Sequence, residues 1–298
     1  MPELPEVETT VRDLRPRVVG RSFRRVEVLV PRMVRAPSPE GLRCGLQGRR
    51  VEALERRGKY ILFHLDQGAL VVHLMMGGAL LWAAPEDRSS PAHPEPRVYP
   101  ERSRREGQAA APWMARDPAK YTRFRFLLDD GSELWLVNPR TLGNVWLVED
   151  ADQVVGKLGP EPLDPEFTPR VLAGRLKGHG APIKPLLLDQ NVVAGIGNIY
   201  ADESLFLAGI RPERPADELT EAEVVRLHGS IRAALERGLR FRGTSLGDYL
   251  DPFGEQGSHQ TQLAVFRRQG QPCRVCGTII QKKMFRGRGT HFCPQCQR

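Results

Sequence analysis

Apolar residues change their spacing twice along this chain. Near the start, Val7, Val11, Leu14 and Val18 recur every three or four positions with Arg and Asp between them. Roughly residues 3 to 19 therefore predict one amphipathic helix, ended by Gly20. From Phe23 to Leu147 the signal becomes the short β-rich runs SFRRVEVLV, KYILFHL, ALVVHLMM, RFRFLLDD and ELWLVNP, separated by turn signals such as LDQG and LDDG. That pattern predicts a β-sandwich or barrel. Within it, residues 84 to 118 are rich in Pro, Arg, Glu and Ala and poor in aliphatics, as expected of a solvated surface insertion.

Beyond about Glu149 the period is helical. QVVGKLGPEPL contains a helix stop, and TPRVLAGRLKG opens with Thr168 as cap and Pro169 in the first turn. APIKPLLLDQNVVAGIGNIYADESLFLAGI predicts a helix, a tight turn and a second helix. In that turn Gly195 and Gly197 permit close backbone approach, and Asn198 is placed to cap the next helix and to face an anion. A helix also follows Thr220, which forms a capping box with Glu223. There is no internal repeat.

Composition adds partners to this outline. The 298 residues, 40% of them apolar, suffice for two domains with their own cores. A formal net charge of +8 makes a polyanion a plausible partner. No uninterrupted apolar stretch reaches the length of a bilayer span, and the N-terminus lacks a basic-then-apolar signal pattern, so a cytosolic or nucleoid location is expected.

Four of the five cysteines crowd into the tail. Cys273 and Cys276 form one CxxC, Cys293 and Cys296 another, with sixteen residues between the pairs. Two thiolate pairs across a hairpin are what a structural zinc ion requires, and a closed four-sulfur site leaves no position for substrate. Lys282, Lys283, Arg286 and Arg288 on the intervening hairpin suit a ribbon that grips phosphate. Cys44 stands apart, with burial as a small apolar side chain the expectation.

The opening MPELPEVETT admits a plain explanation: Pro2 pre-sets the first helical turn, while Glu3, Glu6 and Glu8 sit at the positive end of the helix dipole. Other motifs change its weight. PELPEVET, RRGKY (56–60), HLMM (73–76), NPRTLG (138–143), LLLDQNVVAGIGNIYADESL (186–205), GTSLGDYL (243–250) and the four-cysteine tail occur in this order. Together they resemble the formamidopyrimidine-DNA glycosylase family of bacterial base-excision repair, over nearly the whole chain.

The resemblance implies a two-domain α+β fold: an N-terminal β-sandwich flanked by the N-terminal helix, then a helical helix-two-turn-helix domain with a zinc-finger β-hairpin. The expected boundaries are 1–148 for the catalytic sandwich, with its insertion at about 84–118, 149–245 for the helical domain, and 246–298 for a lesion-capping loop and the finger. It further implies a monomer acting on double-stranded damaged DNA, with one structural zinc ion, no small-molecule cofactor and no membrane. The activity implied is excision of 8-oxoguanine and formamidopyrimidines coupled to strand cleavage by β,δ-elimination.

Carried over residue by residue, the resemblance makes Pro2 the nucleophile once Met1 is removed. Ordinary α-amines titrate near pH 8, so a neutral fraction exists without deep burial. Glu3 would be the acid and base, Lys59 and Arg288 would contact phosphates with help from Lys184 and Asn198, and Glu6 would lie near the damaged base. Met76 and Arg140 match two of the three residues that fill the void left by an extruded base. The third position is Leu142 where the family has Phe, which keeps an apolar wedge and loses a stacking face. Gly247 stands where many members have Lys. Both departures bear on lesion preference, and they leave room for the endonuclease VIII-like branch, which prefers oxidised pyrimidines. A non-catalytic damage-binding zinc-finger protein is the alternative from another class.

Overall fold

The computed structural model describes residues 1–85, 118–247 and 249–298. Most of the expected insertion at 84–118 therefore lies outside the described residues, as does Asp248 of GTSLGDYL. The chain forms two compact units: residues 1–2, 6–156 and 242–257 make the first, and 3–5, 157–241 and 258–298 the second.

The first helix, α1, spans Leu4–Val18, and its Val7, Val11, Leu14 and Val18 are fully buried as their spacing predicts. Pro2 lies ahead of it. Pro5, not Pro2, falls in its first turn, so helix initiation does not explain the second residue of the chain.

In the first unit, β1 (Phe23–Val28), β7 (Thr122–Leu128), β8 (Glu133–Val137) and β6 (Ala79–Ala83) form a four-stranded sheet in that order. A five-stranded sheet runs β2 (Val34–Ala36), β9 (Asn144–Val148), β5 (Ala69–His73), β4 (Tyr60–Leu65), β3 (Val51–Arg57). All pairings are antiparallel except β2 with β9. Strand β7 alternates buried and half-buried positions, so one face turns inward. Val26, Phe124 and Phe126 of one sheet meet Leu54, Ile61, Phe63, Val72 and Val145 of the other, and α1, in a single buried cluster. Each such side chain contributes about 2 kcal/mol by leaving water. Two separate sheets sharing one core make this a sandwich, not a barrel.

Cys44 departs from expectation. It lies on the helix Pro39–Leu46, whose buried side is formed by Leu42 and Leu46, and the two-residue offset turns its thiol outward, 3.3 Å from Glu40 Oε1.

The second unit is helical. Thr168 caps Pro169–Leu176 by accepting from the Val171 N–H, and the Thr220–Glu223 capping box opens the 20-residue helix Glu221–Arg240. Ile183–Leu188 and Asn198–Ala208 flank the glycine turn. Tyr200, Leu205, Leu227, Ile231 and Leu235 form the core, joined by Leu4. The tail carries a two-stranded hairpin, β10 (Gln281–Phe285) and β11 (Arg288–Phe292), closed by Arg286 and Gly287, both at positive φ. Among the described residues no helix is long and apolar enough to cross a membrane.

Candidate active site

Glu3 is buried, and its carboxylate sits on the start of the helix Asn198–Ala208. Oε2 accepts from the backbone N–H groups of Gly197 (2.8 Å) and Tyr200 (3.3 Å), and Oε1 from that of Ile199 (3.0 Å). Those N–H groups have no partner inside the helix, so a carboxylate from a distant part of the sequence supplies the cap. Asn198 does not cap as its sequence position suggested: it is already helical, and its side-chain amide donates to the Gly289 carbonyl at 3.0 Å.

The glycines of the turn admit the N-terminal residues. A Cβ on Gly197 would lie 2.3 Å from Glu3 Cδ, and one on Gly195 2.7 Å from Leu4 Cδ1. The Leu4 N–H donates to the Gly195 carbonyl (3.0 Å). Gln190 holds the turn from within, accepting from the Gly195 N–H and donating to the carbonyls of Leu188 and Ile196. Pro2, the preceding residue, is buried, and Met1 is exposed.

Glu6 is almost wholly buried, and it anchors the GTSLGDYL segment. Its Oε1 accepts from the Thr244 N–H at 2.7 Å, and the Tyr249 hydroxyl donates to its backbone carbonyl at 3.2 Å. Burial, reinforced by the charges of Glu6 and Asp251, pushes the Tyr249 phenol well up, so it remains a donor. At Gly247 a side chain would meet open space, so sterics do not require glycine there.

Lys59 is buried at the β3–β4 turn, one residue before Tyr60, which pairs with His73 across β4 and β5. Burial, with the Lys59 charge adding to it, lowers the His73 imidazole to about 4. The neutral ring accepts the Met75 N–H on Nδ1 (3.1 Å), which places its proton on Nε2.

Met76, Arg140 and Leu142 are all exposed, the two apolar ones at 42%. An Arg140 Nη1 donor lies 3.2 Å from Met76 Sδ, so two loops remote in sequence bring their tips together. Large apolar side chains left in water on adjacent loops mark an interaction surface.

Lys184 is placed differently from expectation. Its ammonium is 1% exposed, pairs with Asp202 Oδ1 at 2.7 Å, and donates to the Gly289 carbonyl (3.0 Å) and Thr290 Oγ1 (2.8 Å). Two hydrogen bonds and the ion pair with Asp202 turn the ammonium toward protein acceptors and away from any phosphate. Burial lowers its pKa and the Asp202 charge opposes that shift. Asp202 Oδ2 also accepts from the His291 N–H (2.9 Å), so the pair ties strand β11 to the helix that Glu3 caps. Arg288, at the start of that strand, is exposed, as are Lys282, Lys283 and Arg286.

The four tail cysteines bring their sulfur atoms within 4.8 Å of one another, with Cys273 to Cys296 at 3.9 Å and Cys276 to Cys293 at 3.5 Å. Zinc–sulfur bonds of about 2.3 Å in a tetrahedron put sulfurs about 3.8 Å apart, so the donor set and spacing fit one zinc ion. The Val275 and Cys296 N–H groups point at Cys273 Sγ and Cys293 Sγ, each at 3.4 Å. Such donors stabilise thiolates.

Residues 1–145 match the formamidopyrimidine-DNA glycosylase N-terminal domain, 158–249 the formamidopyrimidine-DNA glycosylase H2TH domain, and 270–298 a zinc finger found in FPG and IleRS. The chain belongs to the formamidopyrimidine-DNA glycosylase family. The formamidopyrimidine-DNA glycosylase of Symbiobacterium thermophilum is 47% identical over all of this chain and 89% of its own length. Among solved structures, the MutM (Fpg) protein of Thermus thermophilus superposes with a TM-score of 0.81 at 38% identity, covering 99% of this chain and 98% of that one. The Lactococcus lactis Fpg, 34% identical, has been solved with abasic-site DNA (TM-score 0.81, 99% of both chains) and with Fapy-dG DNA (0.80, 99% of this chain and all of that one).

Against this family background, the polar residues that sequence reasoning missed are Asn138, Gln190, Asp202 and Glu203. Glu203 accepts the N–H groups of Ala264, Val265 and Phe266 at 2.8–2.9 Å. The available signal was two adjacent carboxylates inside an otherwise apolar helix, which only burial with partners explains.

Proposed function

We propose that this protein is a bifunctional DNA glycosylase and apurinic/apyrimidinic lyase that excises oxidised purines, 8-oxoguanine and formamidopyrimidines, in bacterial base-excision repair. The observation that carries the reading is Glu3: a buried carboxylate held by three backbone N–H groups, directly after a proline that becomes the chain terminus when Met1 is cleaved. The Pro2 amine forms a bond to the sugar C1′ as the C1′–base bond breaks. The proton that the Pro2 amine loses passes through Glu3 to the ring oxygen O4′ as the C1′–O4′ bond opens, leaving an iminium, while the departing base takes a proton from water. Glu3 then accepts the C2′ proton as elimination expels the flanking phosphates in turn.

In this reading Lys59 and Arg288 contact phosphates, with Asn198 beside Arg288's strand, while Met76, Arg140 and Leu142 fill the void and Glu6 carries the loop over the extruded base. Lys184 acts through the strand it holds. Residues 1–148 supply catalysis, 149–245 grip DNA, and 246–298 provide the capping loop and finger. The enzyme works as a monomer on double-stranded damaged DNA in the cytosol, with no small-molecule cofactor.

The test is borohydride trapping of the protein lacking Met1 on a duplex holding one 8-oxoguanine opposite cytosine, beside Pro2→Gly and Glu3→Gln. An adduct on the N-terminal peptide of the unsubstituted protein alone is expected. Stronger trapping on thymine glycol would favour the endonuclease VIII-like reading that Leu142 leaves open, and tight binding without an adduct on either lesion would favour a damage-binding protein.

A further inference from the structure

Met76 and Leu142 share an unusual setting. Each follows a non-glycine residue in the left-handed region, Met75 at φ 52° and Thr141 at φ 51°. For β-branched Thr141 that conformation is a genuine outlier, and such residues persist only where the surroundings over-determine them. One side chain serves both loops. Asn138 is fully buried; its Nδ2 donates to the Leu74 carbonyl (2.9 Å), and its Oδ1 accepts from the Arg140 (3.0 Å) and Leu142 (3.3 Å) N–H groups. Its backbone carbonyl accepts from the Thr141 N–H (3.2 Å) and from Arg123 Nε (2.8 Å).

We infer that Asn138 is a positioning residue for insertion into the duplex, fixing Met76, Arg140 and Leu142 as one preset wedge. The inference rests on the reading above that these three side chains fill the space of the extruded nucleotide. Only a side-chain amide meets the demand, because the site needs a donor toward Leu74 and an acceptor toward Arg140 and Leu142 from the same planar group. Aspartate keeps the acceptor and sets a second oxygen against the Leu74 carbonyl, freeing the Met76 loop while the other stays tied. Preset insertion matters on duplex DNA, where a base stack must be opened. A single-stranded abasic oligonucleotide has no stack to replace.

The experiment compares single-turnover cleavage of one abasic site in duplex and in single-stranded DNA by wild type, Asn138→Asp and Asn138→Ser. Serine, which is too short to reach Leu74, serves if the aspartate variant does not fold. The ratio of duplex to single-strand rate is expected to fall at least tenfold in either variant. Equal loss on both substrates would mark Asn138 as merely structural, and an unchanged ratio would likewise overturn the inference. Wild type that cuts neither substrate would instead overturn the lyase reading on which the inference stands.

Discussion

The backbone nitrogen of Gly197 lies 2.8 Å from Glu3 Oε2, and a Cβ on that glycine would lie 2.3 Å from the carboxyl carbon. Residue 197 must therefore lack a side chain because Glu3 occupies the space. Gly197→Ala is expected to displace the carboxylate and lower kcat/KM for lesion excision by about 10²-fold, the usual cost of misplacing a reacting group by an ångström. Thermal denaturation should report a folded protein, so a loss of activity no larger than the loss of folded material would refute the assignment.

Lys184→Met removes one half of a buried ion pair and leaves Asp202 uncompensated. The expected loss is about 3–5 kcal/mol in urea denaturation, with partial recovery on adding Asp202→Asn, which still accepts from the His291 N–H. A cost below about 1 kcal/mol would place Lys184 at the surface after all.

Metal analysis should find one zinc per chain, and chelation should abolish hydrogen-exchange protection across β10 and β11. Structural zinc sites carry their folding energy in the metal, so Cys293→Ser should mimic the chelator. Duplex affinity is expected to fall with the hairpin order, since Arg288 sits at the start of β11.

His73 and His259 are both buried, and burial lowers each to about 4, with Lys59 and Arg237 adding to the respective shifts. A histidine depressed in the folded state binds its proton first in the unfolded chain. Its contribution is complete above about pH 6.5 and is lost as pH falls toward 4. At about 1.4 kcal/mol per unit, each accounts for roughly 3 kcal/mol over that window. Stability measured between pH 7 and 4 should decline accordingly, and His73→Asn should flatten part of the slope.

What the sequence disclosed was whatever depends on local spacing. The buried face of α1, the alternation of β7 and the two CxxC pairs are each written within a few residues. Pairings across long stretches of chain left little trace. Nothing near Asn198 predicts that Glu3 caps its helix, and nothing near Lys184 predicts that Asp202 and Gly289 await its ammonium. Cys44 is exposed for a related reason: thiols usually bury, yet the positions of Leu42 and Leu46 decide which side of that helix does.

Asp202 and Glu203 stand side by side on one helix, and side chains one residue apart point about 100° from each other. One grips Lys184 and His291, the other the peptide groups of 264–266. A lone tether would let the tail swivel, whereas two at an angle act as a keyed mount that fixes rotation as well as reach. The tip at Arg286 and Gly287 can then vary in sequence or length without altering how the finger is seated.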